Sequence, residues 1–303
     1  MLRVGTVGML AGIRIADFVF APVRDVRLQA FAGSAWRGAF GHALKRLVCA
    51  LRMRPCEGCP LAGVCLFPRF FGGDAEHDAP RPYILAPEPS PPGGWVRAGQ
   101  AFGVRLTLLP AAEAAAPYAV HALLEAAGSG LTRDRVAFLC RSVAAPPGAP
   151  AASDAAAPGG GIPATDLRPP PAPRIARLRF ATPLRLRLRG DLVTGADLTA
   201  AHLVAAVQRR VRGLGLPLPE PVFAAAAEQA RALAWRHARL GWLETTRMSS
   251  RQNARMQLGG IVGEASIELG GGADLWSVLW LGSVLHLGKG ASMGFGRIEV
   301  HGG

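Results

Sequence analysis

The sequence has very few lysines and tyrosines and no long apolar segment. Only two of its 34 basic residues are lysines, Lys45 and Lys289, and only two residues are tyrosines. No apolar run approaches the roughly 18 uninterrupted residues that a membrane-spanning helix requires. The short apolar N-terminal stretch lacks the A-x-A cleavage site of a signal peptide and runs into an alternating, strand-like pattern. We therefore predict a cytoplasmic protein without a membrane partner.

Acidic residues are scarce as well. The 303-residue chain carries 21 Asp and Glu against 34 Lys and Arg, which is a formal net charge of +13. Such an excess favours a polyanionic partner over a small acidic substrate. Because guanidinium groups bind phosphates bidentately and stack on bases, an arginine-dominated surface is typical of RNA binding. A basic surface without a specific partner is the alternative that charge alone leaves open.

Four of the five cysteines are clustered in the first quarter of the chain: Cys49, Cys56, Cys59 and Cys65. A C-x-x-C pair and two flanking thiols can surround Zn²⁺ tetrahedrally and hold a loop that has little core of its own. Disulfides are the alternative, but a cytoplasmic chain would keep these thiols reduced. The spacing predicts a structural zinc site at residues 49–65, with an iron–sulfur cluster as the second interpretation.

A stretch from residue 146 to residue 173 consists almost entirely of alanine, proline and glycine. Such a composition cannot pack a core and predicts a linker or loop. The linker would separate an N-terminal domain, residues 1–145, from a C-terminal domain, residues 174–303. The length of the chain is sufficient for two ordinary domains, each with its own core.

The first domain has a mixed pattern of strands and helices. Strands are predicted at residues 13–20, 102–109 and 135–143, and helices at residues 35–49 and 117–127. This is the order of a ferredoxin-like fold, in which the cysteine-rich loop would be an insertion. Residues 68–92 are rich in proline, glycine and charge and are predicted to form loops.

The second domain opens with an alternating segment that carries basic residues on one face. Arg185, Arg187 and Arg189 share that face and leucines occupy the other, which suits a sheet that binds RNA on its outside. A solvated edge strand would show the same pattern. Further helices are predicted at residues 203–213, 221–242 and 275–285, and further strands at residues 258–269 and 297–300.

The first predicted helix contains a candidate catalytic pair. Ser34 is its predicted N-cap, and its predicted buried stripe comprises Trp36, Phe40, Leu44 and Leu47. His42 lies one turn before Lys45, so the imidazole and the ammonium group could converge on one phosphodiester. Arg37 lies on the same side face as Lys45. A surface histidine on an amphipathic helix is the alternative interpretation.

A glycine-rich segment, residues 288–296, follows the last predicted helix. Gly288, Gly290, Gly294 and Gly296 surround Lys289. Glycines permit positive φ angles that bring backbone N–H groups close to an anion, so we predict contacts with the phosphates of a nucleic acid. A Walker loop is excluded because the segment lies between a helix and a strand and its lysine precedes most of the glycines. A flexible connection without a ligand is the alternative.

Three segments resemble one known family. The motif GKGASMGFGRI, residues 288–298, resembles the C-terminal glycine-rich loop of the CRISPR-associated precursor-crRNA-processing endoribonucleases of the RAMP superfamily. The segment MSSRQNARMQLGGIVGEASIEL, residues 248–269, is similar to the block that precedes the last helix of that family. The pattern RxxxGxxL, which begins at Arg37, is similar to its first helix.

The resemblance implies an α+β protein with tandem ferredoxin-like (RRM-like) domains that cleaves CRISPR repeat RNA, typically a stem-loop, into mature crRNA. It implies metal-independent chemistry without a catalytic cofactor, in which the ribose 2′-OH attacks the adjacent phosphate and leaves a 2′,3′-cyclic phosphate. His42 would transfer a proton, and Lys45 or Arg37 would offset the charge on the phosphorane.

The resemblance also implies which residues contact RNA and which partners the protein has. The predicted RNA contacts are the residues of the glycine loop and Arg297, together with the arginine face of Arg185, Arg187 and Arg189. With the resemblance, Arg251, Gln252 and Arg255 are predicted to contact RNA phosphates or base edges; without it, they are an ordinary polar loop. Other subunits of a CRISPR effector complex are possible partners. The alternative function is a non-catalytic crRNA-binding subunit of such a complex.

Overall fold

The computed structural model describes residues 11–51, 54–72, 80–145, 162, 165, 167–188, 190–249 and 254–302, and for residues 246–249 and 254–257 it describes the backbone alone. The described residues form two compact units, residues 11–165 and residues 167–302. In the part of the chain so described, no helix is long and apolar enough to cross a lipid bilayer.

The first unit contains a four-stranded antiparallel sheet. Its elements are β1 (Arg14–Pro22), β2 (Val26–Arg27), α1 (Gly33–Val48), α2 (Leu66–Phe71), β3 (Tyr83–Pro87), β4 (Trp95–Val96), β5 (Phe102–Leu108), α3 (Ala116–Gly128) and β6 (Phe138–Ala144). The strands of the sheet follow the order β3-β5-β1-β6. With α1 after β1 and α3 after β5, this is the βαββαβ topology of a ferredoxin-like fold.

Aromatic rings and alanines form the core of the first unit. Trp36 of α1 is fully buried, with its ring centroid 5.1 Å from that of Phe20 in β1 and 6.2 Å from that of Phe102 in β5. In α3 the buried positions include Ala119 and Ala122. Their small side chains allow α3 to pack closely on its neighbours, which leaves the large rings of α1 to fill the space over the sheet.

The main sheet of the second unit has the same strand topology, and two long helices follow its first strand. Its elements are β7 (Ile175–Leu184), β8 (Arg187–Leu188), β9 (Asp191–Leu192), α4 (Ala200–Gly213), α5 (Glu220–Ala232), β10 (His237–Leu243), β11 (Thr246–Ser249), β12 (Ala254–Gln257), β13 (Gly260–Glu268), α6 (Ala273–Leu285) and β14 (Ile298–Gly302). The main sheet has the antiparallel order β10-β13-β7-β14. The predicted α+β class and ferredoxin-like strand order are therefore observed in both units.

Four local predictions are wrong. The range 68–92, predicted as loops, contains β3, and the helix predicted to reach residue 242 ends at Ala232 and is followed by β10. Leu47 is 40% exposed instead of buried. The helix α1 begins at Gly33 with Ala32 as its N-cap, so Ser34 lies inside the helix and does not cap it.

Candidate functional site

One face of α1 is covered by the short helix α2. The guanidinium carbon of Arg37 lies 5.1 Å from the ring centroid of Phe71, and the Nζ atom of Lys45 lies 5.5 Å from that of Phe67. Between them, Gly41 allows the Phe71 ring to approach the helix backbone. Both cations therefore make cation–π contacts with α2, which restrict the positions of their charged groups.

We expect Gly41→Ala to push α2 away from α1. An added Cβ would lie 2.8 Å from Cε1 of Phe71, so the ring must shift. The lost packing should lower the free energy of unfolding by about 1–3 kcal/mol in chemical denaturation.

Gly38→Ala in the same helix is the matched control, because nothing lies within 4 Å of its added Cβ. It should raise stability by up to about 1 kcal/mol, since alanine has the better helix propensity. Equal destabilisation by both substitutions would show that the close contact with Phe71 does not matter.

His42 is exposed, whereas Lys45 and Arg37 are half-buried. At 3.6 residues per turn, His42 and Lys45 are separated by about 60° around the helix axis, but His42 and Arg37 by about 140°. The helix thus keeps His42 and Lys45 on adjoining faces, and it places Arg37 on the far side of Lys45 from His42. Of the three predicted catalytic residues, His42 and Lys45 are therefore the pair closest together around the helix axis.

The buried tyrosine Tyr83 lies beside Arg37, which the sequence did not indicate. It is fully buried among aromatic rings, at 5.4 Å from the ring of Phe40 and 5.3 Å from that of Phe70. Burial raises the pKa of the Tyr83 phenol to about 12, although the positive charges of Arg37 and Arg81 act in the opposite direction. The Tyr83 ring is therefore part of the aromatic core of the first unit.

The structure does not support the predicted zinc or iron–sulfur site at Cys49, Cys56, Cys59 and Cys65. All four thiols are free, and among the described residues no three Cys, His, Asp or Glu side chains are grouped so that they could hold a metal ion. Cys49 follows α1 and Cys65 precedes α2. The N–H of Cys59 donates to the Cys56 carbonyl at 3.2 Å in a local turn. Spacing along the chain did not determine where these side chains point.

The four glycines of the loop adopt the predicted positive φ angles, which in chain order are 76°, 87°, 84° and 65°. Two of them lie against backbone carbonyls. An added Cβ would be 2.3 Å from the carbonyl oxygen of Arg185 at Gly288, and 1.8 Å from that of Leu287 at Gly296. No other residue type fits these two positions without displacing the backbone.

Several N–H groups of the glycine loop are used within the protein. Lys289 donates to the Arg185 carbonyl at 3.0 Å, and Gly296 donates to the Pro183 carbonyl at 3.1 Å. Two further N–H groups donate to the Gly290 carbonyl. The loop is therefore a turn packed on the end of β7, and the exposed residues Gly288 and Lys289 form its outer side.

The arginines predicted to contact RNA have different environments. Arg187 is exposed and its Nη1 donates to the nearby Gly190 carbonyl at 3.1 Å, and Nη1 of the half-buried Arg185 donates to the Gly259 carbonyl at 2.9 Å. The guanidinium of Arg297 pairs with Glu299 at 2.9 Å. Arg189, Arg251 and Gln252 lie outside the described residues, and of Arg255 only the backbone in β12 is described.

A buried arginine caps the helix that precedes the glycine loop, and the sequence interpretation missed it. Arg210 of α4 is 8% exposed, and its Nε donates to the carbonyl of Leu285, the last residue of α6, at 3.2 Å. Burial lowers the pKa of the Arg210 guanidinium to about 10. A cation is favourable at a helix C-terminus. The sequence could have indicated its burial, because Arg210 lies on the same helix face as the apolar residues Val207 and Val211.

Two family models match the sequence of the chain. A model of an N-terminal domain, AF_1859_N, matches residues 12–154, and the model of the CRISPR-associated endoribonuclease Cas6 matches residues 178–298. The second match extends from β7 to the first residue of β14 and contains the whole glycine loop. Residues 178–298 of the chain therefore belong to the Cas6 family. The predicted family and the predicted class of enzyme, an endoribonuclease that processes precursor crRNA, are thereby confirmed.

Solved Cas6 structures share the fold over nearly the whole chain. A Cas6 product complex matches with a TM-score of 0.59 at 19% identity, covering 95% of this chain and 100% of the other. Cas6 of Thermus thermophilus matches with 0.55 at 16% identity, covering 95% and 99%. A partial Cas6–RT–Cas1–Cas2 complex matches with 0.54 at 11% identity, covering 95% and 46%. A search of curated protein sequences found no match.

Proposed function

We propose that this Cas6 protein binds CRISPR repeat RNA and cleaves it by metal-independent attack of a ribose 2′-OH on the adjacent phosphate. The observation that carries the proposal is the exposed His42 one turn before Lys45, in a chain whose second unit matches the Cas6 endoribonuclease model. The net charge of +13 supports a polyanionic substrate. Among the solved relatives is a Cas6 substrate-mimic complex.

In the proposed reaction, His42 accepts the proton of the 2′-OH. The 2′-oxygen forms a bond to phosphorus while the bond from phosphorus to the 5′-oxygen breaks, and solvent water donates a proton to the leaving 5′-oxygen. The products are a 2′,3′-cyclic phosphate and a 5′-hydroxyl. Lys45, whose ammonium group is steadied by the Phe67 ring at 5.5 Å, offsets the negative charge that develops on the phosphorane.

RNA binding is assigned to the exposed basic residues of the second unit. Lys289 on the outer side of the glycine loop and Arg187 are exposed and can approach phosphates directly. We retain Arg189, Arg251, Gln252 and Arg255 as proposed contacts with a repeat stem-loop. Arg185 and Arg297, whose guanidinium groups are held by Gly259 and Glu299, would act mainly by positioning their neighbours.

The proposal predicts a discrete cut in labelled repeat RNA in the presence of excess chelator. The 5′ fragment should carry a cyclic phosphate, and RNA with a 2′-deoxy nucleotide at the cleavage position should bind equally well without being cut. Affinity should fall steeply between about 50 and 200 mM salt, because phosphate contacts release counterions. Binding without any cut would instead favour a non-catalytic crRNA-binding subunit, and cleavage that requires a divalent metal would contradict the mechanism.

A further inference from the structure

An exposed tryptophan lies at the edge of the second sheet. Trp242 belongs to the edge strand β10 and is 39% exposed, and its neighbour Leu243 is 37% exposed. Indole rings usually lie mostly buried, because they contribute a large apolar area to the core. Trp242 differs from the other exposed indole, Trp95, because it lies in the unit that carries the glycine loop.

Two contacts fix the orientation of the Trp242 ring. Its Nε1 donates to the Glu244 carboxylate at 2.6 Å. Gly259 lies directly beside the pair, since an added Cβ there would be 2.4 Å from Nε1 of Trp242 and 2.6 Å from Oε1 of Glu244. The hydrogen bond satisfies the only polar group of the indole, so the ring is held in place while part of its surface remains open to solvent.

Arg185 connects this tryptophan to the glycine loop. Its Nη1 donates to the Gly259 carbonyl at 2.9 Å, while its own carbonyl accepts the N–H of Lys289 at 3.0 Å. Burial lowers the pKa of the Arg185 guanidinium, and the negative charge of Glu244 opposes that effect. The same arginine thus contacts the loop proposed to bind phosphates and the glycine that adjoins the Trp242 ring.

The sheet register determines the distance between the two features. Trp242 is paired with Ile261 of β13, and Ile261 is paired with Leu184 of β7, the residue before Arg185. Two interstrand spacings correspond to about 10 Å. This spacing separates the backbone of Trp242 from that of Leu184, and the next residue, Arg185, accepts the N–H of Lys289 through its carbonyl. An RNA strand bound through a phosphate at Lys289 would therefore have a neighbouring nucleotide in the region of Trp242.

We propose that Trp242 is a stacking platform for an unpaired nucleobase of the RNA. This inference rests on the proposed function and names a contact that none of the predicted phosphate-binding residues provides. An indole that is already oriented loses little conformational freedom when a base stacks on it. Stacking of this kind tolerates any base, because every base presents a π-face. Trp242 would therefore select unpaired nucleotides without reading their sequence.

The test measures the affinity of wild type, Trp242→Leu and Trp242→Phe for repeat RNA that carries a 2′-deoxy nucleotide at the cleavage position. Trp242→Leu keeps an apolar side chain but cannot stack, and we expect its Kd to rise about 5- to 50-fold. Trp242→Phe should recover most of the affinity. Trp95→Leu in the first unit, which replaces an indole that is 47% exposed, is the control and should bind like wild type.

A series of RNAs with one abasic nucleotide each locates the stacked base. One abasic position should weaken binding to wild type about as much as Trp242→Leu does, and the same RNA should show no further loss with the variant. If the losses of affinity caused by the abasic nucleotide and by Trp242→Leu add to one another, the stacking proposal is overturned. Wild-type affinity of Trp242→Leu would overturn it as well, and either result leaves the nuclease proposal intact. Unchanged RNA binding with lost association to another CRISPR protein would identify a protein-docking surface instead. Absence of RNA binding by wild type would refute the proposed function and this inference together.

Discussion

Substitution of His42 by alanine is expected to abolish cleavage of repeat RNA and to leave its affinity for the RNA unchanged. The imidazole is exposed on α1, so its removal creates no cavity and should not affect folding. Loss of a positioned proton acceptor typically slows a reaction about 10²- to 10⁴-fold. The measurement is the single-turnover cleavage rate at saturating protein, with Kd determined separately on RNA that has a 2′-deoxy nucleotide at the cleavage position.

A second exposed histidine provides the control for this substitution. His121 lies on α3 of the same unit and is also exposed, so His121→Ala removes the same chemical group from a comparable environment. Wild-type cleavage by His121→Ala together with inactive His42→Ala would identify His42 as the proton-transfer group. If both variants cleave at the wild-type rate, His42 is not catalytic and another residue must transfer the proton.

Gly296→Ala is expected to disrupt the glycine loop and, with it, both stability and RNA binding. The residue has φ of 65°, and an added Cβ would lie 1.8 Å from the Leu287 carbonyl oxygen, which belongs to the backbone and cannot rotate away. The left-handed conformation and the collision together should lower the free energy of unfolding by on the order of 3 kcal/mol. The variant that still folds should bind repeat RNA at least about 10-fold more weakly, because Lys289 would be displaced.

Gly215 allows the collision to be separated from the backbone conformation. It has φ of 64°, almost the same as Gly296, but nothing lies within 4 Å of its added Cβ. Gly215→Ala should therefore cost only about 1–2 kcal/mol, the ordinary cost of a left-handed alanine. Thermal and chemical denaturation of both variants would measure the difference. Equal losses of stability, with RNA binding intact in Gly296→Ala, would show that packing of the loop on the Leu287 carbonyl is unimportant.

The sequence predicted an element correctly where the spacing of its apolar residues matched the period of a helix or a strand. The alternation in β1, the helical stripe around Trp36 and Phe40 in α1, and the helix before the glycine loop were all recognised because their period matches the element they form. The positive φ angles of the loop glycines were also predictable, since no other residue type adopts them freely. These features depend on residues that are neighbours in sequence.

Local patterns failed where a partner distant in sequence decides the structure. The segment of β10 has the alanine, arginine and leucine content of a helix, but it forms a strand because it pairs with β13 from His237 to Leu243. Similarly, β3 lies in a stretch with loop-like composition and is held by its ladder with β5. In both cases the hydrogen bonds of a sheet override the weak local preference.

The features of the candidate site also fall into those set by neighbouring residues in the sequence and those set by contacts between distant segments. By itself the sequence determined the family, the excess of positive charge, the pairing of His42 with Lys45 along one helix and the glycine positions of the loop. Only the tertiary structure decided that Arg37 and Lys45 pack against the rings of α2, that no three of the four described cysteine thiols are grouped as metal ligands, and that Trp242 is held beside Gly259 with part of its ring exposed. The physical reason is that spacing along the chain determines which residue types recur on one element, whereas contacts between elements determine where each side chain points.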